Sequence, residues 1–392
     1  MQAIKQLYKI GYGPSSSHTI APYRLMKLYK EYYPETDHYE ITLGGSIALT
    51  GKGHATDKII ERALESKDID FRYVTDIKDN LINVKGYNGN KEYPVWHGKS
   101  LGGGAISVEE IHVIDEDEVY KENDFVSIKK YLSVNKCSLL EYVYKYEPDL
   151  KEHLNKCIDV IIETVEEGLR NEGVLNEKLN YSYIAKELYE KAESDRDYLM
   201  AYSYAACEQN ASGRLMVTSP TLGASGIISA LVYYLKINKK YDNDLICDFL
   251  AVAGVFGNCI KHNASIAGSI GGCQAEIGTA CSMASAGLSY LKGYDLESVE
   301  YAAEMGVEHF LGLTCDPVLG YVIIPCIERN AIGLLKAIDC SYLAGQLNNV
   351  KKNVISFDSV VKTMNYTGKK IAVELRETSL GGLSKEYVEE KA

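Results

Sequence analysis

The feature that most constrains this 392-residue chain is a run of small, nearly uncharged residues in its second half. Residues 247–278 read CDFLAVAGVFGNCIKHNASIAGSIGGCQAEIG, in which alanine, glycine and serine predominate. Small side chains let helices approach one another closely, as they do at the centre of a bundle. We therefore predict that this run lies in the middle of a helical domain.

Length and residue periodicity predict two domains. A chain of 392 residues exceeds the usual size of one hydrophobic core. The first third contains short runs typical of strands, such as YEITLGGSIAL, FRYVTDI and LINVKGYN, whereas apolar spacings of three to four residues dominate after residue 123. We expect an α+β domain over residues 1–123, ending in the charged segment 115–123, and an all-α helical domain over residues 124–392.

Charge and cysteine content disfavour several classes of protein. A net charge of -12 makes nucleic acid an unsuitable partner, because phosphate binding depends on lysine and arginine. Ten cysteines are too dilute for a disulfide scaffold, and without a signal peptide they favour a reducing, cytoplasmic location. We find no apolar run of membrane-spanning length and expect no membrane association.

Three cysteines have a setting unlike that of an ordinary core cysteine. Cys273 follows two glycines, Cys315 opens a Cys-Asp-Pro turn, and Cys326 follows a proline. Such bends leave backbone amides free, and amides stabilise thiolates that bind iron. Cys281 lies instead in an alanine-rich helical run and is predicted to be a core residue. Spacings of 42 and 11 residues match no short zinc or ferredoxin pattern, so the residues alone leave packing and metal binding both open.

Two motifs near the N-terminus place a histidine beside a bend. Residues 13–19, GPSSSHT, precede a predicted helix, where their hydroxyls and amides would either cap the helix or bind a carboxylate. Residues 50–58, TGKGHATDK, hold glycines that allow close approach of a ligand. A lone histidine is usually structural, but His18 and His54 share this unusual setting and are therefore candidates for acid–base work.

A long segment between predicted helices is a further candidate for ligand binding. Residues 208–226, EQNASGRLMVTSPTLGASG, are rich in small residues and lack periodicity over 19 positions. The helix that follows would aim its amide end at an anion. An ordinary interhelical loop is the alternative.

Taken together, these motifs resemble the iron-sulfur-dependent L-serine dehydratases. The strings NASIAGSIGGCQAEIGTACSMASAGL and LGLTCDPVLGYVIIPCIERNA look like the catalytic domain of that family, including both cysteine spacings. The remaining matches, in the family's order, are GPSSSHT, TGKGHATDK, SLGGG at residues 100–104 and RETSLGGL at residues 376–383. The resemblance thus runs from end to end of the chain, and it implies a single-chain form with fused β-like and α-like domains, the second of them catalytic.

The resemblance implies a cofactor and a set of roles. Cys273, Cys315 and Cys326 would bind a 4Fe-4S cluster with one iron not ligated by cysteine, and no pyridoxal phosphate would be needed. His54 would be the general base, and His18 a substrate contact or proton relay. The residues implied in substrate binding are Ser15, Ser16, Ser17, Thr19, Lys52, Thr221, Gly223 and Asn263. The expected reaction converts L-serine to pyruvate and ammonia through aminoacrylate, in a homodimer.

Several positions depart from the family pattern. Leu222, Leu319 and Leu380 stand where asparagine, glycine and arginine are usual, and Ala21 replaces a glycine. These changes raise the alternatives of a paralogue acting on another β-hydroxy or β-thiol amino acid, such as threonine or cysteine, and of a non-catalytic cluster-containing sensor. Zinc bound by the cysteines would give a colourless protein.

The two ends of the chain differ from the family pattern as well. The C-terminus, EYVEEKA, has no cysteine that could reach back to the open iron, so solvent or a small anion is expected there and inhibition by the tail is not. The β-like portion is short, so we expect no allosteric serine site.

Overall fold

The computed structural model describes residues 1–77, 79–114, 118–348 and 350–391. Its strands are β1 Ile10–Tyr12, β2 His38–Gly44, β3 Ile69–Val74, β4 Leu81–Asn88, β5 Lys91–Glu92, β6 Trp96–Gly102, β7 Ala105–Val108, β8 Val113–Ile114, β9 Val174–Asn176, β10 Tyr181–Ser182 and β11 Leu215–Val217. Its helices are α1 Ala21–Tyr32, α2 Ser46–Thr50, α3 Thr56–Leu64, α4 Phe125–Asn135, α5 Leu139–Tyr146, α6 Leu150–Gly168, α7 Ala185–Glu190, α8 Asp195–Ala211, α9 Ser225–Ile237, α10 Asn243–Asn263, α11 Gly268–Gly271, α12 Ile277–Leu291, α13 Leu296–Glu308, α14 Cys326–Leu347, α15 Phe357–Lys370 and α16 Gly382–Lys391.

A mixed sheet packed against helices forms the first part of the fold. Its strand order is β3-β2-β4-β6-β7-β8, with β5 paired to β4. Strands β2 and β3 are parallel and joined through α3, while the other pairs are antiparallel. The core of this part includes Leu25 and Tyr29 of α1, Ile60 of α3 and Trp96 of β6. The predicted α+β character is confirmed.

Helices dominate the rest of the chain, as predicted, apart from the short strands β9 to β11. The run of small residues lies at the centre of this part, where α12 packs against α10, α13 and α14. A Cβ atom added to Gly306 of α13 would lie 2.7 Å from the Cα of Ser282 in α12. Only glycine permits that approach, so the small residues have the packing role that their sequence predicts.

Some boundaries differ from the sequence prediction. Residues 46–50 form α2 instead of continuing the preceding strand, and residues 125–146 form two helices, α4 and α5, each with its own capping box. Residues 208–226 are not one loop, because α8 continues to Ala211 and β11 pairs with β1. Pairing between distant strands is a tertiary interaction that local periodicity does not reveal.

The N-terminal segment packs into the helical part of the protein. Ile4, Leu7 and Tyr8 are fully buried in the same core as α10, and the Tyr8 hydroxyl donates to the carbonyl of Leu250 at 2.7 Å. This segment precedes the sheet in sequence but belongs to the other core. Of the predicted boundary segment 115–123, residues 115–117 lie outside the described residues.

One helix is long and apolar enough to span a membrane, contrary to our reading of the sequence. It is α10, with 21 residues and a mean hydropathy of 1.4, and 78% of its most apolar window is buried inside the protein. A core helix passes the same test of length and composition, so this single helix is weak evidence for a membrane span.

Candidate active site

Two stacked imidazoles from separate motifs form one half of the site. His18 lies in a π-helical turn, Ser16–Ile20, and His54 lies between α2 and α3. Their ring centroids are 4.2 Å apart, with the planes inclined by 19°, and both side chains are buried. The two histidines singled out from the sequence are therefore in direct contact.

The hydrogen-bond network assigns the tautomer of His18. The Thr50 hydroxyl donates to the carbonyl of Ser46 at 2.9 Å, so at its 2.9 Å contact with His18 Nε2 it accepts the imidazole proton. Nδ1 of His18 is then an acceptor, 2.9 Å from the Ser17 hydroxyl and 3.1 Å from that of Ser15. Both ring nitrogens of His18 are thus engaged by the protein.

His54 has the opposite tautomer. Its Nδ1 lies 3.0 Å from the carbonyl of Thr50 and must donate to it, because a carbonyl only accepts. The Nε2 lone pair is therefore free and lies 3.9 Å from Oε1 of Glu377. Burial lowers the pKa of His54 to about 4, and burial together with the neighbouring His54 lowers the pKa of His18 well below its ordinary value. Both rings are neutral at physiological pH, and His54 is the one able to accept a proton.

Glu377 joins the histidines to the second half of the site. Its carboxylate is buried, and Oε1 lies 3.4 Å from the Ser15 hydroxyl and 3.7 Å from Nδ1 of His18. Its backbone N–H donates to the carbonyl of Cys315 at 2.6 Å. Glu377 adopts a left-handed φ of 58°, a conformation that a non-glycine residue keeps only when its surroundings impose it. Burial, with the nearby Glu276, raises the pKa of this carboxyl well above its ordinary value.

Two thiols and a carboxylate form the second half. The thiols of Cys273 and Cys315 and an oxygen of Glu276 all lie within 4.8 Å of one another. Glu276 accepts a hydrogen bond from the Thr221 hydroxyl at 2.7 Å. A Cβ atom at Gly268 would lie 3.1 Å from the Cys315 sulfur and 2.8 Å from Glu276 Oε2, so glycine keeps this face open. Cysteine, histidine and carboxylate groups that can hold a metal are thus present in one place.

Cys326 and Arg329, from the first turn of α14, border the same group. Burial raises the pKa of the Cys326 thiol well above its ordinary value, and nearby Cys273 and Glu276 add to that effect. The pKa of Cys273 is lowered, mainly because the Cys315 thiol donates to it and also because Arg329 is close. Nη1 of Arg329 is fixed by the carbonyl of Thr314 at 2.7 Å. Cys273, Cys315 and Cys326 therefore lie close enough for the pKa of one thiol to depend on its neighbours.

Most of the sequence-predicted binding residues lie at this site. Ser15 and Ser17 contact His18, and Ser16 accepts a hydrogen bond from the backbone of Leu222 at 2.8 Å. Thr221 contacts Glu276, and a Cβ atom at Gly223 would lie 2.9 Å from the same carboxylate.

Three of the predicted binding residues have other contacts. The ammonium of Lys52, an exposed residue, lies 5.7 Å from the ring centroid of Tyr73, and the hydroxyl of Thr19 lies 2.6 Å from the backbone carbonyls of both Tyr12 and Ser15. The Asn263 amide donates to the carbonyls of Asn123 and Cys259. The structure does not bring these three side chains into contact with the histidines or thiols.

Sequence reasoning missed four residues of the site. Glu377 lies inside the RETSLGGL motif, Glu276 lies three residues after Cys273, Thr50 opens the TGKGHATDK motif and Arg329 lies three residues after Cys326. The sequence signal that could have identified these residues is their position in or beside motifs that match the family pattern. Their roles depend on contacts between distant segments, as with Ser15 and Glu377, which lie 362 residues apart in the chain.

Two of the departures from the family pattern are at exposed positions. Leu319 and Leu380 are 37% and 59% exposed, so their side chains face outward. Leu222 is buried, but it contributes a backbone N–H to Ser16. Cys281 is fully buried in the helical core, as predicted.

Comparison with known proteins agrees with the site. The family model for the serine dehydratase beta chain matches residues 3–90, and that for the serine dehydratase alpha chain matches residues 58–384. The L-serine dehydratase of Helicobacter pylori (strain ATCC 700392 / 26695) is 35% identical, with 98% of each chain covered. L-serine dehydratase 2 of Escherichia coli (strain K12) is 34% identical, with 99% of each chain covered. The L-serine dehydratase of Haemophilus influenzae is 32% identical, with 99% of this chain and 100% of that protein covered.

Fold and site together define a lyase of the dehydratase class. Both family models match, and the relatives align over nearly the whole chain. This chain belongs to the serine dehydratase family.

Proposed function

We propose that the protein dehydrates L-serine to aminoacrylate, which tautomerises and hydrolyses without further catalysis to pyruvate and ammonia. The observation that carries this proposal is the convergence of a free imidazole nitrogen, on His54, with a group of buried thiols through one residue, Glu377. The relatives named L-serine dehydratase support the choice of L-serine as substrate.

The cysteines fit an iron-sulfur cluster. Cys273 and Cys315 are buried, the partly buried Cys326 lies near Cys273, and Gly268 leaves space beside Cys315. We propose that they hold a 4Fe-4S cluster with one iron free of cysteine. When bound, that iron supplies a Lewis acid that helps the substrate hydroxyl leave.

The protein's own groups supply the other half of the elimination. Loss of water from serine breaks the Cα–H and Cβ–O bonds and forms the Cα=Cβ double bond. His54 Nε2 carries the lone pair that accepts the α-proton, since its Nδ1 proton is held by the carbonyl of Thr50. His18 is held neutral between Thr50 and Ser17 and keeps the His54 ring in place by stacking. We propose that the substrate carboxylate binds at the turn of residues 15–17, where the hydroxyls of Ser15 and Ser17 lie beside His18. No pyridoxal phosphate takes part in this scheme.

The test begins with anaerobic purification, iron and sulfide analysis, and assays of pyruvate and ammonia release from L-serine, L-threonine and L-cysteine. We expect a coloured protein that releases both products from L-serine. Absence of release by cluster-replete protein would refute the proposed function, and a colourless zinc protein would refute the cofactor.

The ligand assignment is tested by two matched cysteine variants. Cys315→Ser should lose the cluster absorbance and turnover, because serine is a poor iron ligand in this position. Cys281→Ser should keep the colour, because Cys281 is buried in the core of α12. Full absorbance in both variants would contradict the assignment.

The relatives named L-serine dehydratase favour L-serine over another substrate. Leucines at positions 319 and 380 suggested a changed pocket, but both side chains are exposed. The same assay would distinguish a non-catalytic sensor from an enzyme, because a sensor would bind the cluster and release no pyruvate.

Three broader expectations belong to the same proposal. We propose a division of the chain into a β-like domain over residues 1–123 and an α-like catalytic domain over residues 124–392. We also propose a homodimer, which light scattering would test, and a cytoplasmic location, which the ten free cysteines favour. No nucleic acid or membrane partner is proposed.

A further inference from the structure

Glu377 has an unused hydrogen-bonding atom inside the site. Glu377 is 5% exposed, and its Oε2 has no hydrogen-bond partner among the described residues although it is shielded from solvent. The Ser15 hydroxyl lies 3.4 Å from Oε1, and the backbone of Ser269 also donates to this carboxyl group. Burial raises the pKa of this carboxyl, and a ligand that brings positive charge and hydrogen-bond donors would complete its contacts and favour its ionised form.

The surroundings of Glu377 lack a permanent positive partner. Within the described residues, its ion-pair contacts are with His18 and His54, and both rings have a pKa below physiological pH. Glu276 adds a second carboxyl group on the other side of Glu377. The site is therefore suited to a ligand that brings a positive charge and hydrogen-bond donors.

We propose that Glu377 binds the α-ammonium group of the amino acid substrate. This inference rests on the proposed function and deepens it by naming the group that recognises an amino acid in preference to a hydroxy acid. An ammonium has three donors, enough to occupy Oε2 and to share Oε1 with Ser15. A charge-assisted bond of this kind is among the stronger contacts that a buried site offers.

The same placement orients the reacting bond. The α-carbon is bonded directly to the ammonium nitrogen, and His54 Nε2 lies 3.9 Å from Oε1 of Glu377. An ammonium held by Glu377 therefore places the α-carbon beside the free lone pair of His54.

A metal ion held by His18, His54 and Glu377 is the competing use of this group, since their ligand atoms lie within 4.8 Å of one another. Imidazole lone pairs lie in the ring plane, and these two planes are stacked at 4.2 Å with only 19° between them. Parallel lone pairs do not converge on one ion. In addition, Nδ1 of His18 already accepts from Ser17 at 2.9 Å. The geometry therefore favours the ammonium.

The test compares two ligands that differ only in the amine, L-serine and 3-hydroxypropanoate. Because the active protein would consume L-serine, equilibrium binding to cluster-loaded protein is measured by calorimetry in a His54→Asn background, with Glu377 intact or changed to Gln or Asp. The control is Glu374→Gln, which removes an exposed carboxylate three residues away on the same segment. Because glutamine keeps the shape of the side chain, iron content and melting temperature should match those of the His54→Asn protein with Glu377 intact.

We expect Glu377→Gln to weaken L-serine binding about 10- to 100-fold, the loss typical of one charged hydrogen bond, and to leave 3-hydroxypropanoate within about threefold. Glu377→Asp should recover part of the preference for L-serine, and Glu374→Gln should leave it unchanged. An equal loss for both ligands would show a merely structural role and overturn the proposal. Unchanged binding of L-serine, or loss of a bound metal from Glu377→Gln, would also overturn it.

The experiment separates this inference from the proposed function. If the wild type binds L-serine but releases no pyruvate, the proposed dehydration fails, while the difference between the two ligands still tests Glu377. If the wild type releases pyruvate and Glu377→Gln keeps the amine preference, only the inference about Glu377 fails.

Discussion

At the scale of single residues, hydrogen bonds give the two histidines of the site different capacities to accept a proton. His18 uses both ring nitrogens on Thr50 and the serine hydroxyls, whereas His54 uses only Nδ1. A base must have an unoccupied lone pair within reach of the substrate. The geometry therefore supports His54 as the proposed base and His18 as a proposed positioning residue.

This difference predicts unequal effects of substitution. His54→Asn removes the base and should lower kcat by about 10²- to 10⁴-fold, the range usual for general-base catalysis. His18→Asn keeps one donor and one acceptor, so kcat should fall much less. Steady-state pyruvate release measures both variants, and iron content provides the control. Equal losses in the two variants would contradict the assignment.

Burial of His54 also predicts a pH dependence of stability. The ring has a pKa of about 4 in the folded protein and an ordinary value of 6.5 when unfolded, so the unfolded state binds more protons between these values. Stability from this group is complete above pH 6.5 and is lost as the pH falls toward 4. Between pH 7.5 and 5.0, the free energy of unfolding of the wild type should fall by about 2 kcal/mol more than that of His54→Gln. Urea unfolding at the two pH values measures this difference, and parallel pH profiles would contradict it.

At the scale of elements, short turns position the ligand-bearing side chains. Gly272 separates α11 from Cys273 and has a φ of 73°. A Cβ atom there would lie 2.6 Å from the carbonyl oxygen of Leu313, which is part of the backbone and cannot rotate away. The segments that carry Cys273 and Cys315 therefore pack closely at Gly272, where a larger residue would not fit.

A matched pair of glycines tests this contact. Gly293 has the same φ of 73° but has no atom within 4 Å of an added Cβ, so Gly293→Ala isolates the cost of the left-handed backbone, about 1 kcal/mol. Gly272→Ala adds a backbone clash, so it should also lower iron content and pyruvate release. Thermal unfolding and iron analysis compare the variants. Normal iron content in Gly272→Ala would show that the close approach is not needed.

At the scale of the whole molecule, the first residues of the chain connect its two parts. Ile4 and Leu7 pack onto glycines of α10, since Cβ atoms at Gly254 and Gly257 would lie 2.2 Å and 3.0 Å from their side chains. Glu147 accepts hydrogen bonds from the backbone of Ile4 and from the Tyr120 hydroxyl. The segment then continues through β1 into the turn that carries His18. Its packing thus fixes the imidazoles relative to the helical part.

Loss of this packing should loosen the helical part. Leu7→Ala removes a fully buried side chain and should destabilise the protein by about 2–5 kcal/mol. Leu101→Ala, at a residue 39% exposed in the sheet, should have a much smaller effect. Hydrogen–deuterium exchange should become faster in α10 for Leu7→Ala only. Unchanged exchange in α10 would mean that the N-terminal segment is dispensable for that core.

The sequence by itself determined the features that depend on local pattern and residue chemistry. Apolar periodicity predicted most helices, the small-residue run predicted the centre of the bundle, and the bends beside His18, His54 and the three cysteines marked the reactive side chains. These signals are readable because they involve residues within a few positions of one another. The tertiary structure alone decided which tautomer each histidine has, that Glu377 meets them from the far end of the chain, and that the first eight residues belong to the helical core. Those outcomes depend on contacts between distant segments, which arise only when the whole chain packs.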